Sequence, residues 1–460
     1  MLIHPKTKEA YQLLHQGTLA FARAEQAGMR IDVDYCQQKK EELTNRINQL
    51  EKEILNSKFG KRWQHSTKSK INLNSNYQLS YFLYNVQKLE PAKVTITGKG
   101  STDDETLSGL RIPELDKLLE MKKLLKIRDT YLDAFLREQV KGFIHPFFNL
   151  HLVRTFRSSS DRPNFQNIPK RDKEAMQLCR KALYSRKGNQ FLAMDFSGIE
   201  VRMACIYTQD EKLIYDTVHG DMHKDMAIEL YMLDSLDKHN SGEAVLRQAG
   251  KNGFVFPEFY GDYYGNCALS LLKWAEQGKL KDGTPCLIHL QDKGLIKLNK
   301  NGTVKNNDKF IEHVKHVEDM FWNERYKIYT KWKDKTWGLY QKKGYIDMYT
   351  GFRCSGLMNK KDVTNYPFQG TAFHCLLWTF IEIDKRMRKE NWDSRPISQV
   401  HDEVTVDTHP DELQHVSKSI KNIATKELPE AWDWINVPLD VELEKTKVDE
   451  SWADKKYFEI

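Results

Sequence analysis

The stretch "ISQVHDEVTVDTH", residues 397–409, sets Asp402 and Glu403 beside His401 in a run that otherwise alternates like a β-strand. Ile397 and Val400 precede the carboxylates, and Val404 and Val406 alternate with Glu403 and Thr405, so the pattern predicts a hairpin with His401–Asp402 at its tip. Adjacent carboxylates repel, raise each other's pKa and need a cation nearby. A lone Asp-Glu turn is most often a solvated surface feature, and a second strand-end carboxylate changes that reading. "FLAMD", residues 191–195, is a short apolar run ending in Asp195, as expected of a buried strand. If the two strands lie side by side, Asp195 and Asp402 offer two hard oxygen ligands for Mg²⁺. A pair of such ions can clamp the attacking and leaving oxygens of a phosphoryl transfer.

Directly after Asp195, Ser197 and Glu200 have the S-x-x-E spacing of a capping box, with Ile199, Met203 and Ile206 continuing at helical spacing. Farther on, "RQAGKNGFVFPEFYG", residues 247–261, places Arg247 and Lys251 four apart, on one face of a helix, where like charges cost a little unless an anion joins them. The aromatics Phe254, Phe256, Phe259 and Tyr260 can stack a base, although core packing is the commoner use of such residues. Pro257 should kink or bulge this helix.

Upstream, Leu43, Ile47, Leu50 and Ile54 form one stripe of a long amphipathic helix over 35–59, and a second helix is expected over about 113–140. The polar, basic stretch between them, "KFGKRWQHSTKSKINLNSN", shows no organising hydrophobic pattern, which suggests a helical hairpin with a basic tip. Helices are expected around 208–232 and 243–256, one or two short hairpins in the turn-rich stretch near 279–308, and further helices after it, including 365–389. "STDDETL" contains Asp103-x-Glu105, a mimic of a nuclease D-x-E, but its place before a helix makes capping the expected role of Asp103.

Length and composition set wide bounds. At 460 residues the chain suits two or three subdomains, and the net charge of +7 would suit a polyanionic partner without requiring one. The seven cysteines are scattered and never form a C-x-x-C pair, which suggests neither a zinc site nor a disulfide framework and fits a reducing cytoplasm. No apolar run approaches the length of a membrane span, and no signal peptide is apparent at the N-terminus.

These motifs resemble the DNA polymerase I family, the family A DNA polymerases. "DFSGIE" (195–200) is similar to D-[FY]-S-Q-I-E, "RQAGKNGFVFPEFYG" to R-x-x-x-K-x-x-x-[FY]-G-x-x-Y-G, and "QVHDEV" (399–404) to the last palm motif. "RTFRSSSDRPNFQNIP" (154–169), "GDMH" (220–223), "NYPFQGTA" (365–372) and the early "FARAEQAGMRID" agree more weakly and stand in the right order. Departures are Gly198 for the usual Gln, Phe156 for the usual Gly, Lys361 for the usual Arg, and one extra residue between Lys251 and Tyr260. That extra residue leaves Phe254 and Phe256 as candidates for the aromatic that stacks on the nucleotide; Phe256 is preferred if a bulge at Pro257 absorbs it.

The resemblance implies an α+β right-hand polymerase fold, with an antiparallel palm sheet and helical fingers and thumb. Residues 1–140 would be the N-terminal segment and thumb, 141–207 the first part of the palm, 208–355 the fingers with an insertion near 279–308, and 356–460 the return to the palm with the catalytic hairpin. It implies template-directed DNA synthesis with two Mg²⁺ ions, Mn²⁺ being an alternative, held by Asp195 and Asp402, and with Glu403 supporting the site. Arg247, Lys251, His223, Phe256, Tyr260 and Glu200 would bind the dNTP, with Glu200 under its sugar. Arg157, Asn365, Gln369, His401 and Lys361 would touch the primer–template DNA near the primer end. About 140 residues precede the palm motifs and read as thumb, so no proofreading nuclease is expected; besides DNA and dNTPs, a separate nuclease or a processivity factor is a candidate partner. So short a member suits a virus and, with it, the host cytoplasm. Rival readings are a two-metal nuclease, a catalytically inactive DNA-binding relative and a single-subunit RNA polymerase. The nuclease leaves Arg247, Lys251 and the aromatics unexplained, the binding protein has no need of converging carboxylates, and the "DFSGIE" glutamate favours DNA over RNA synthesis.

Overall fold

In the computed structural model, which describes residues 2–67, 70–91, 93–95, 98–170 and 172–460, five strands form an antiparallel sheet. They are β1 (Gln190–Phe196), β2 (Arg395–Val400), β3 (Glu403–Thr408), β4 (Val441–Lys445) and β5 (Lys456–Tyr457), in the order β2-β3-β1-β4-β5. The continuous apolar character of β1 follows from its central place. Leu192, Met194, Val404, Val406, Val441 and Leu443 pack on one side into a large helical core. Side chains alternate between the faces of a strand, so Phe191 and Asp195 point the other way, and Phe191 joins a second, smaller core with Ile397 and Val400.

That smaller core is built on the two amphipathic helices read from the sequence. Helix α1 (Val33–Asn56) is capped by Asp32, which accepts a hydrogen bond from the Tyr35 amide at 2.9 Å, and buries the expected stripe of Leu43, Ile47, Leu50 and Ile54. It lies against α2 (Pro113–Leu125), which runs through a π-helical turn (Lys126–Leu132) into Asp133–Glu138. The basic stretch between them is more ordered than its charge suggested. Lys58–Ser66 is a helix whose Trp63 is fully buried, stacked on Phe82 at 5.7 Å, with Phe59 edge-on to Phe82. Two aromatics four apart are enough to give this short helix an apolar face, despite the lysines around them. Residues 68 and 69 of that stretch lie outside the described residues.

The larger core gathers the remaining helices. Lys8–Ala27 packs along the 30-residue helix α3 (Lys360–Lys389), and Arg23 of the former pairs with Asp384 of the latter at 2.6 Å. Helix α3 begins five residues earlier than the 365–389 expected, because Asn359 caps it through the Asp362 amide, and it tolerates Pro367 in its interior. The 279–308 stretch yields one short helix (Cys286–Asp292) and a single hairpin of Lys297–Leu298 with Val304–Asn306. All seven cysteines are free and buried. Among the described residues no helix is long and apolar enough to cross a membrane. Trp63→Ala should destabilise the protein by about 3–5 kcal/mol; a loss below about 1 kcal/mol in urea unfolding would show that the helix does not anchor the smaller core.

Candidate active site

The register of β1 and β3 decides the site. Glu403 is the direct partner of Asp195 across the ladder, and the Phe196 amide donates to the Asp402 carbonyl at 3.2 Å. His401 and Asp402 form the two-residue turn between β2 and β3, with His401 at φ 54°, a left-handed conformation that hairpin turns of this length demand. Asp195, Asp402 and Glu403 are thus gathered at one end of adjacent strands, as the sequence predicted. Their electrostatics differ. Burial, opposed by Lys170 and reinforced by Glu403 and Asp402, raises the Asp195 carboxyl to about 6. Burial also raises Asp402, against the pull of Arg157, His401 and Lys170. Burial would push Glu403 up as well, but Lys455, together with Lys170 and Arg180, outweighs it and holds this carboxyl below its ordinary value. The Lys455–Glu403 pair is 2.7 Å long with side chains 5% and 6% exposed, so Glu403 is turned into the protein rather than toward the cleft.

The turn is braced from the segment "RTFRSSSDRPNFQNIP". Ser158 hydrogen-bonds the Gln399 side chain, whose amide in turn donates to the His401 carbonyl at 2.5 Å, and Gln166 donates to Ser158 at 2.7 Å. Phe156, which stands where the family motif has Gly, sits at φ 63°, in the left-handed region that glycine adopts at least cost. Packing of the buried Phe156 ring on Phe352 (4.7 Å) and His374 (5.6 Å) offsets the strain. One residue beyond that motif, Lys170 places its Nζ 3.3 Å from Asp195 Oδ2.

The expected capping box is absent. The helix after β1 (Ile199–Thr208) has Gly198, in the left-handed region, at its N-cap, and no side chain caps it. With the cap one residue later than expected, Ser197 lies outside the helix and Glu200 is its second residue, one short of the capping-box position. Glu200 instead forms an ion pair with Arg157 and accepts a hydrogen bond from the Tyr260 hydroxyl at 2.6 Å. Glu200, Phe256, Tyr260, Asn365 and Gln369 line one small cleft, and Asn365 donates to the Tyr260 carbonyl at 3.3 Å. Lys361 is exposed, its aliphatic stem beside Gly261.

The other wall comes from the helix Ser241–Ala249, which passes through a π-helical turn (Gly250–Val255) into Phe256–Phe259. A π turn accommodates one extra residue, so the insertion is absorbed upstream of Pro257 and not at it; Pro257 sits harmlessly in the first turn of the last segment. This separates the two candidate aromatics. Phe254 is fully buried and edge-on to Phe321, whereas Phe256 lines the cleft with Lys251 Nζ 5.3 Å from its ring centre and His223 5.7 Å away. His223 is held neutral, lowered to about 4 by burial and then by Lys251 and Arg247. Arg247 is paired with Asp221 at 2.8 Å. Gly250 permits the close approach, since a Cβ there would lie 2.5 Å from the His223 carbonyl oxygen.

With this geometry in hand, the sequence pattern of DNA polymerase family A matches residues 33–269 and 296–454. The chain belongs to DNA polymerase family A. It is 27% identical over 453 residues to "DNA polymerase I, thermostable" of Thermus thermophilus, covering 95% of this chain and 47% of that protein. It is 30% identical over 436 residues to "DNA polymerase I" of Aquifex aeolicus, covering 94% and 65%. The chain therefore spans about half to two thirds of the length of these relatives. The solved structure of the POL domain of Pol1 from M. smegmatis, in complex with DNA primer-template and dNTP, superposes with a TM-score of 0.73 at 22% identity, covering 96% of this chain and 70% of that one. The fold is accordingly the right-hand polymerase fold, with the five-stranded sheet as its palm.

The residues of this family A palm fit a hard divalent cation. Two carboxyls raised in pKa by burial, Asp195 also by Glu403 and Asp402, carry negative charge that Lys170, Arg157 and His401 balance only in part, and oxygen-only ligands are what Mg²⁺ prefers. Among the described residues no three His, Cys, Asp or Glu side chains are arranged to hold a metal. Sequence reading missed Lys170, Lys455, Ser158 and Gln166. Lys170 adjoined a quoted motif, while Lys455 lies in a C-terminal tail with no pattern to mark it. Lys455→Met should cost about 3–5 kcal/mol at neutral pH, because it leaves Glu403 charged, buried and unpaired. Glu403 is depressed in the native protein, so the stability that it gives wild type is present above its unfolded pKa and is lost as pH falls through the folded value. The difference between wild type and variant in denaturant midpoint should therefore shrink on acidification; a constant difference would mean that Lys455 acts through packing alone.

Proposed function

We propose that this chain is a template-directed DNA polymerase that adds dNTPs to a primer 3′-hydroxyl on primer–template DNA, with Mg²⁺ or Mn²⁺ as the cofactor. The observation that carries the reading is the β1–β3 register, which brings Asp195 and Asp402 together at the end of the palm strands beside a cleft walled by Glu200, Phe256 and Tyr260. Asp195 and Asp402 would hold the cation, two ions in the full form of the reading. When bound, it would neutralise the charge that develops on the transferring phosphoryl group and favour the ionised primer hydroxyl.

The chain's own residues do the positioning. Lys251 and Arg247 bind the triphosphate, Arg247 exchanging Asp221 for phosphate. Neutral His223 supplies a hydrogen bond without adding charge. Phe256 stacks on the base, and Tyr260 with Glu200 borders the sugar, where a 2′-hydroxyl would meet the Glu200 carboxylate. Arg157, Asn365, Gln369, His401 and Lys361 contact the duplex. Glu403, fixed by Lys455, stiffens the strand that carries Asp402. We further propose that the chain lacks proofreading: Asp103 caps the helix Asp104–Gly109 through the Thr106 amide at 2.7 Å, and Glu105 pairs with Lys93 and Lys273, so this D-x-E is already engaged.

Primer extension with each dNTP and NTP, with and without Mg²⁺, tests the reading, and no dNTP addition in either Mg²⁺ or Mn²⁺ would refute it. Asp195→Asn and Asp402→Asn should each slow extension by about a thousandfold or more while primer–template binding survives. Lys251→Ala should weaken nucleotide use far more than DNA affinity, and equal losses would remove it from the triphosphate site. Glu200→Ala should narrow the preference for dNTP over NTP, measured as a ratio of kcat/KM values; an unchanged ratio in folded protein excludes a sugar-gating role. Removal of mismatched 3′ ends by the pure chain would contradict the absence of proofreading.

A further inference from the structure

We infer that Glu258 is a positioning residue for the incoming nucleotide: its buried carboxyl, tied to Trp322, Cys267 and Glu318, fixes the short helix Phe256–Phe259 so that Phe256 and Tyr260 stay presented to the cleft. The inference rests on the nucleotide-binding role proposed for that cleft. Glu258 is 3% exposed and belongs to the segment that contributes both cleft aromatics. Trp322 Nε1 donates to Glu258 Oε2 at 2.9 Å, and the Cys267 thiol donates to Oε1 at 3.4 Å. Glu318 shares a hydrogen bond with Glu258 and accepts the Tyr264 amide at 2.8 Å. Neighbouring Phe259, which also borders the cleft, is edge-on to Phe321, Trp322 and Tyr329, which ties the segment to the helices behind it.

A buried carboxyl beside another carboxyl is satisfied only if the pair carries a proton. Burial, joined by Glu318 and opposed by Trp322 and Cys267, raises Glu258 to about 8. The other titratable groups facing the site are Cys267, whose thiol is pushed far up by burial and Glu258, and Lys333, lowered to about 8 by burial with its Nζ 3.6 Å above the Trp322 ring centre. Asp262 lies near Cys267 and adds negative charge. Below about pH 8 the protonated Glu258 carboxyl holds the helices together. As pH rises through that value Glu258 gains a buried negative charge beside Glu318, behind Phe256 and Tyr260, and the presentation of the aromatics loosens.

The test measures dNTP affinity of the full chain on a dideoxy-terminated primer–template, across pH 7 to 9.5, for wild type, Glu258→Gln and Glu258→Ala. Glu258→Gln keeps the shape and, through its single carbonyl oxygen, the Trp322 hydrogen bond, its amide donating toward Glu318 in place of the weak thiol contact, and it removes the titration; its dNTP Kd should stay near wild type at pH 7 and should not rise above pH 8 as that of wild type does. Glu258→Ala should weaken dNTP binding about tenfold, the worth of a hydrogen bond or two, with primer–template Kd unchanged. Parallel pH profiles for wild type and Glu258→Gln would overturn the inference, as would unchanged dNTP affinity in folded Glu258→Ala. Should Glu258→Ala not fold, the pH comparison with Glu258→Gln decides alone. A wild-type chain that binds primer–template but no dNTP at any pH would instead overturn the nucleotide-binding role of the cleft.

Discussion

The pairing of Asp195 with Glu403 across two antiparallel strands is the constraint on which the rest of the molecule depends. A slip of one residue would send every carboxylate to the opposite face of the sheet. What prevents the slip is apolar: Leu192 and Met194 on one strand and Val404 and Val406 on the other all belong to the large core, so the register that converges the acids is fixed by burial on the far side. The attraction that holds the site together thus comes from residues that take no part in its chemistry, and it works against the mutual repulsion of those that do.

That repulsion is managed by internal counter-ions. Lys170 sits on Asp195, Lys455 on Glu403, Arg157 on Glu200 and Asp221 on Arg247. Three of these pairs are partly exposed, where ion pairs are individually weak and readily exchanged, and the fourth is fully buried and permanent. In the proposed reaction a cation takes the place of Lys170 on Asp195 and phosphate that of Asp221 on Arg247, and the displaced Lys170 and Asp221, being partly exposed, are left to solvent.

Much of this was legible in the sequence because it rests on short-range pattern. The His401–Asp402 turn, the strand ending at Asp195 and the stripe Leu43, Ile47, Leu50, Ile54 were all read correctly, each being a periodicity or a turn signal. The failures have equally local causes. Ser197 and Glu200 had the spacing of a capping box, but the left-handed Gly198 moved the helix start one residue on and freed Glu200 for Arg157 and Tyr260. The extra residue before Tyr260 was assigned to Pro257, the obvious breaker, although a π turn beginning at Gly250 takes it up, because only Gly fits against the His223 backbone. Trp63 was hidden among lysines. Lys170 and Lys455 meet the acids through tertiary contacts, 25 and 52 residues away in sequence, which no local pattern encodes.

Strand β1 lies on the boundary between the two hydrophobic cores, with Phe191 in the smaller and Leu192 and Met194 in the larger. A strand clamped from both sides opens only when both cores let go, whereas the helix Lys58–Ser66 depends on the smaller core alone. Amide protons near Asp195 are therefore expected in the slowest-exchanging class in the protein, and those around Trp63 in a faster, sub-global class. The strand that carries the charge is also the one that local fluctuations should reach last.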